Sequence, residues 1–174
     1  MNSLELPIPE SYWVLPGRLL AGEYPGHFYG EKVRGRIDAF LEAGFTTFID
    51  LTLDDELPSY DSILKEQAQV YNAEVQHLHF PIGDFGLPTH AGMLSTLDTI
   101  DASLNAGNKT YVHCWAGVGR TGTVIGCYLV RHGKTGPQAL RQIAEWWHDV
   151  PKSKRHSRSP ETDEQVKFIL GWEE

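Results

Sequence analysis

The chain has 174 residues, 41% of them hydrophobic, two cysteines and a formal net charge of −8. That length builds one domain with a substantial core and is short for two, and the negative charge argues against a general binder of nucleic acid or anionic membrane, whose phosphates demand the opposite sign. Two cysteines without a C-x-x-C pair provide neither a disulfide framework nor a zinc pattern, and no run approaches the roughly twenty apolar residues of a membrane helix; a soluble cytoplasmic protein without metal or cofactor is expected.

In chain order, residues 1–12 read as a lead segment and 13–174 as the domain, and Pro7, Pro9 and Pro16 interrupt any run that would make a secretory signal. Trp13 to Ala21 reads as two short strands around the Pro16-Gly17 turn, a hairpin at a sheet edge. Val33, Ile37, Phe40 and Leu41 keep helical spacing up to a stop at Gly44, and Thr46 to Leu51 is a β-branched and aromatic strand. Asp54, Asp55 and Glu56 then form an acidic turn, either simply solvated or an edge that meets basic peptides. Ile63, Leu64, Ala68 and Tyr71 mark a helix and Val75 to Phe80 a strand, on which His77 and His79 share one face as core or surface histidines rather than metal ligands. A loop comes next, Pro81 to Pro88, with Asp84 and Phe85 between glycines, and then an amphipathic helix from Thr89 to Leu104 closed by Gly107.

The run Thr110 to Cys114 is β-prone, Trp115 to Gly119 is a glycine-rich turn, and Thr123 to Val130 has nothing charged in it. This is strand, tight loop and buried helix. The first N–H groups of such a helix have no internal partner and, with the helix dipole, favour an anion at the loop mouth. Cys114 and Arg120 frame that loop with five residues between them, so a thiolate can lie beneath a ring of N–H donors while a guanidinium forks over two phosphate oxygens. Sulfur then attacks phosphorus directly, and Thr121 puts a hydroxyl within reach of the sulfur for its departure in the second half of the reaction. The leaving group needs a proton that a thiolate cannot give, which points to Asp84 as general acid, thirty positions before Cys114.

Gly117 to Gly122 also matches the dinucleotide G-x-G-x-x-G pattern, but no acidic residue closes a second strand about twenty residues on. A Walker loop would need glycine at 114 and lysine at 120, and neither is present. Cys127, mid-helix among apolar neighbours, reads as packing. Downstream, Gly136-Pro137 opens a helix with Leu140, Ile143, Ala144 and Trp147 inward. Lys152, Lys154, Arg155 and Arg158 crowd a loop that reads as solvated or, more sharply, as a docking patch, and Ser159-Pro160 is expected to cap a final helix.

His113-Cys114-x5-Arg120-Thr121 resembles the signature of the cysteine-based protein tyrosine phosphatases, and with Trp13-Val14-x-Pro16-Gly17-Arg18-Leu19 the run resembles the small atypical dual-specificity phosphatases. The resemblance implies that Asp84 stands on the family's acid loop, in a degenerate version of its usual Trp-Pro-Asp, and that Gln165, in Glu161-Thr162-x-x-Gln165, helps position the hydrolytic water. His113 is expected to act on the thiolate and the loop's hydrogen bonds.

The element order gives a single α/β domain, a central mixed sheet of about four to five strands flanked by helices, with the phosphate loop between a strand and a buried helix. The expected activity is hydrolysis of a phosphorylated protein or peptide through phosphocysteine, by a chain for which a monomer suffices. Phosphate is held by Arg120 and the amides of Trp115, Ala116, Gly117, Val118 and Gly119, with Trp115 and Phe85 offering an aromatic rim. Phosphotyrosine suits that rim, phosphoserine and phosphothreonine stay open, and the neutral positions Trp115, Ala116 and Val118 disfavour multiply phosphorylated inositols. A phosphate-binding module without turnover is the competing class.

Overall fold

The computed structural model describes residues 5–27 and 30–174. Strands β1 (Ser11–Leu15) and β2 (Leu19–Gly22) form the expected hairpin, followed by α1 (Gly30–Glu42), β3 (Phe45–Asp50), α2 (Asp61–Val70), β4 (Gln76–His79) and α3 (His90–Asn105). Then come β5 (Lys109–His113), α4 (Gly119–Arg131), α5 (Gly136–Asp149), a 3₁₀ turn at Pro151–Lys154 and α6 (Asp163–Leu170). The sheet order is β1-β2-β5-β3-β4, with β1 antiparallel at the edge and the other four strands parallel. This is the mixed sheet of four to five strands expected, with five strands and β5 at its centre.

Both faces of the three central strands β2, β5 and β3 are covered, and their side chains therefore alternate between two apolar cores rather than between core and water. Ile49 and Val112 enter the core built with α3, α4, α5 and α6, while their neighbours Phe48 and Tyr111 enter the one built with α1 and α2. In that second core Phe40 packs on Tyr111 with ring centroids 4.4 Å apart and on Phe48 at 5.6 Å. Centring β5 in the sheet puts its carboxyl end, His113 and Cys114, over the middle of the molecule.

Three boundaries differ from the sequence expectation. The first strand begins at Ser11, not Trp13, and Ile8 and Tyr12 are buried, so the segment just before Trp13 is part of the fold; Met1 to Leu4 lie outside the described residues. Thr89 caps α3 rather than joining it, its side chain accepting from Gly92 N at 3.0 Å. The last helix is capped by Thr162 and not by Ser159-Pro160, with Thr162 and Gln165 forming a reciprocal capping box. The Ser159 hydroxyl donates instead to Val118 O, on the loop that leads into α4.

Candidate active site

The loop from Cys114 to Val118 is shaped from outside. Cys114 O accepts from His113 Nδ1 (3.1 Å), Trp115 O from Tyr24 N (2.9 Å), Ala116 O from Lys152 Nζ (3.1 Å) and Val118 O from Ser159 Oγ (2.7 Å). Each peptide's N–H points opposite to its C=O, so fastening four carbonyls outward turns the N–H groups of Trp115, Ala116, Gly117 and Gly119 inward. None of the N–H groups of residues 115–118 donates to a backbone carbonyl among the described residues. Gly117 makes the curl possible: its φ is +75°, and a Cβ there would sit 2.5 Å from the Gly22 carbonyl carbon. Cys114, at the start of the loop, is buried, 3% exposed.

His113 is fully buried, and burial, against the pull of Asp50 and Cys114 O, moves its pKa down from 6.5. A neutral imidazole carries one N–H. Since the carbonyl of Cys114 can only accept, that proton is on Nδ1, and Nε2 accepts from Tyr60 Oη at 2.7 Å. His113 thus ties the loop to α2 through Tyr60 at the helix start.

Arg120 is 2% exposed and nearly saturated. Nη1 donates to Glu56 Oε2 (2.8 Å) and Ile82 O (3.0 Å), and Nη2 donates to Glu56 Oε1 (2.6 Å) and Asp84 Oδ1 (3.2 Å). Burial works against the guanidinium charge, but Glu56, Cys114 and Asp84 outweigh it and raise the Arg120 pKa further. In return, the hydrogen bonds of Arg120 hold the Glu56 carboxyl below its usual range. Release of Asp84 alone would expose the Nε/Nη2 edge, a side-on pair fitted to two oxygens of a phosphate.

Glu56 corrects the solvated-turn reading of the acidic run. Asp54 is indeed exposed and among the described residues pairs only with His79, but the Glu56 side chain is 13% exposed and grips Arg120 with both oxygens. His77 and His79 lie on one face as expected, bonded to Asp50 Oδ2 (3.0 Å) and Thr52 O (2.5 Å). Cys127 is buried in α4, where desolvation pushes its thiol up.

Asp84 sits on a turn closed by Gly86 N donating to Gly83 O at 2.8 Å. Phe85, at the tip, has φ +56° and is 58% exposed, a left-handed conformation that a bulky residue rarely takes. Asp84, Phe85, Cys114, Trp115, Ala116 and Arg120 line a single cavity of about 180 Å³, together with Gly119, His156 and Glu161. Two expected residues are engaged elsewhere. The Thr121 hydroxyl donates to Gly22 O at 3.5 Å rather than to Cys114. Gln165 is buried, its Oε1 taken by the N–H groups of Glu161 (3.1 Å) and Thr162 (3.0 Å) while Nε2 donates to Gly86 O at 3.3 Å. Its amide does abut the loop, since a Cβ on Gly119 would meet it at 2.9 Å.

The basic run is only partly a solvated loop. Lys152 turns inward to Ala116 O and Glu23, and Arg158 pairs with Asp163, while Lys154 and Arg155 are exposed. Sequence reasoning missed Glu56, Lys152, His156 and Glu161 as parts of the site. A carboxylate just beyond a parallel strand, at the sheet's carboxyl end, was the available signal for Glu56.

Over residues 9–169 the chain matches the family described as Swiss Army Knife protein, DSP-PTPase phosphatase domain. Protein tyrosine phosphatase domain-containing protein 1 of Mus musculus is 33% identical over 127 residues, 69% of this chain and 17% of that protein. Phosphatidylglycerophosphate phosphatase PTPMT1 of Arabidopsis thaliana is 35% identical over 66 residues, 37% of this chain and 20% of that one. The chain therefore spans about a fifth of the length of these relatives. Among solved structures, Tk-PTP in its active form superposes with a TM-score of 0.66 at 25% identity, covering 92% of this chain and 94% of that one. A match that begins before the first strand and ends in the last helix, with the whole Cys114–Arg120 loop inside it, settles the family: the chain belongs to the DSP-PTPase phosphatase domain family.

Proposed function

We propose that the chain is a phosphomonoesterase that works through a phosphocysteine on Cys114 and prefers phosphotyrosine in proteins or peptides, with phosphoserine and phosphothreonine as slower substrates. The observation that carries this is the outward fastening of the loop carbonyls above a buried cysteine, with a guanidinium held at the rim. In the first half of the reaction Sγ attacks phosphorus in line, the loop N–H groups and the Nε/Nη2 edge of Arg120 hold the phosphoryl oxygens, and Asp84, displaced from Arg120, protonates the leaving oxygen. His113 keeps the loop's first carbonyl turned away.

Cavity size and charge support the substrate. About 180 Å³ is small beside the roughly 300–1,000 Å³ of typical ligand clefts, enough for one phosphoryl group under an aromatic rim of Phe85 and Trp115, which are 58% and 48% exposed. Arg120 is already paired with Glu56, so little uncompensated positive charge faces a second phosphate. The match to a phosphatidylglycerophosphate phosphatase favours a second reading, a lipid phosphomonoester substrate.

The test compares kcat/KM on matched phosphotyrosine and phosphothreonine peptides, a soluble inositol phosphate and dispersed phosphatidylglycerophosphate. The phosphotyrosine peptide is expected to lead. A tenfold advantage for either non-protein substrate, about 1.4 kcal/mol of transition-state preference, contradicts the protein reading. Phosphopeptide binding without any phosphate release would make the chain a binding module.

A further inference from the structure

With Asp84 as the general acid, the reading on which this inference rests, the resting site raises a question of placement. Asp84 Oδ1 accepts from Arg120 Nη2 at 3.2 Å, and an incoming phosphate takes that edge of the guanidinium. The carboxyl must then stay within reach of the leaving oxygen without the ion pair that fixed it. Gly83, Asp84, Phe85 and Leu87 are all exposed, so burial does little to hold the loop. Its internal bonds, Gly86 N to Gly83 O at 2.8 Å and Phe85 N to Asp84 Oδ1 at 3.1 Å, set its shape and not its place. The left-handed Phe85, at φ +56°, persists only where its surroundings over-determine it.

Among the described residues, two hydrogen bonds tie residues 83–87 to the rest of the molecule. One is the Arg120 bond that substrate displaces; the other is donated by Gln165 Nε2 to Gly86 O at 3.3 Å. Gln165 is built to hold still. It is fully buried, and its Oε1 accepts from Glu161 N at 3.1 Å and Thr162 N at 3.0 Å, which fixes the amide plane and turns Nε2 toward the acid loop. The same amide rests on the first residue of α4, since a Cβ on Gly119 would lie 2.9 Å from both Nε2 and Oε1. One side chain therefore sets the acid loop against both the phosphate loop and the start of α6.

We propose that Gln165 is the positioning residue of the acid loop. Its Nε2–H holds Gly86 O, and so keeps Asp84, two residues away, at the cavity it lines with Cys114 once phosphate has taken Arg120. Sγ then bonds to phosphorus, the P–O bond breaks with its electron pair on the leaving oxygen, and that oxygen takes the Asp84 proton. Gln165 touches none of the reacting atoms. Its effect is confined to steps in which Asp84 moves a proton.

The experiment measures kcat/KM of the full chain, Q165M, Q165E, D84N and the Q165M/D84N pair on phenyl phosphate and dinitrophenyl phosphate. Phenolate, with a pKa of about 10 like the tyrosine side chain, needs the proton to leave, whereas dinitrophenolate leaves without it. Q165M should raise the preference for the dinitrophenyl ester by tenfold or more, a ratio from which any uniform weakening of phosphate binding cancels. Q165E keeps an acceptor for the two N–H groups of the cap, which hold it ionised, but has no N–H for Gly86 O. It should shift the ratio in the same direction, separating loss of the latch from loss of the cap. Because the latch works through Asp84, Q165M should change the ratio less than about twofold in the D84N background. A role confined to the hydrolytic water acts after the leaving group has gone, so an unchanged ratio in both single variants overturns the latch. A full tenfold shift on top of D84N overturns it as well. If D84N itself leaves the ratio unchanged, Asp84 is not the acid, and this assignment falls with that reading.

Discussion

At the scale of single residues, the pairing of Arg120 with Glu56 decides how much of the guanidinium is available to phosphate. Two short bonds from one carboxylate fix the plane of the fork before substrate arrives, and a hydrogen bond to a charged group contributes about 1.5–3 kcal/mol. If most of that is expressed in the transition state, Glu56→Gln lowers kcat/KM on an aryl phosphate by about 10- to 100-fold, while Asp54→Asn, altering an exposed neighbour, changes it less than about twofold. Steady-state kinetics on the two variants check this, and equal rates for both would mean that the anchor is misassigned. That Cys114, Arg120 and Asp84 would line one cavity was legible in the sequence, because the proposed chemistry fixes the type of all three and the spacing of the first two. Glu56 was not, since nothing in Asp54-Asp55-Glu56 says which carboxylate turns toward an arginine 64 positions away.

At the scale of elements, hydrophobic periodicity found the strands and the long helices, because each buries one stripe or two alternating faces. Polar caps were harder. Ser159 looked like a helix cap by type, yet its hydroxyl holds Val118 O, and Thr162 does the capping. The basic loop shows the same limit: its charge reads as solvated, but Lys152 crosses to Ala116 O and Glu23, and the Lys152 N–H donates to Glu10 at 3.0 Å. Lys152→Met removes the side-chain tie and leaves the backbone one. With roughly 1–2 kcal/mol at stake, KM for an aryl phosphate should rise about five- to twentyfold as the carbonyl of Ala116 turns free, with kcat changed less. An unaltered KM would show that Tyr24 and Ser159 suffice to hold the loop.

At the scale of the whole molecule, the centre of the sheet carries a buried neutral histidine that links its stability to pH. The unfolded chain protonates His113 below about pH 6.5, whereas the folded chain, with its pKa lowered chiefly by burial, does not until lower pH. The unfolded state therefore binds more protons as pH falls, and stability falls with it. Carboxylates held below their usual range, Glu56 among them, lose their contribution only under about pH 4.5, so the interval from about pH 7.5 to about 5.5 belongs to histidines, and comparison with a His113 variant singles out this one. Urea unfolding should show a loss on the order of 1 kcal/mol across it, and His113→Gln should flatten that slope even if it lowers stability throughout. A slope unchanged in the variant would place the titrating group elsewhere.

The central claim, that Cys114 carries the phosphoryl group, is tested most directly by Cys114→Ser assayed for turnover and for phosphopeptide binding in parallel. Serine keeps the size of the side chain beneath the loop but offers no accessible oxyanion near neutral pH. Aryl phosphate turnover should fall by about a thousandfold or more, roughly 4 kcal/mol, while phosphotyrosine peptide binding persists. Retention of more than about a tenth of the rate, within roughly 1.4 kcal/mol of the natural chain, would contradict covalent catalysis by Cys114.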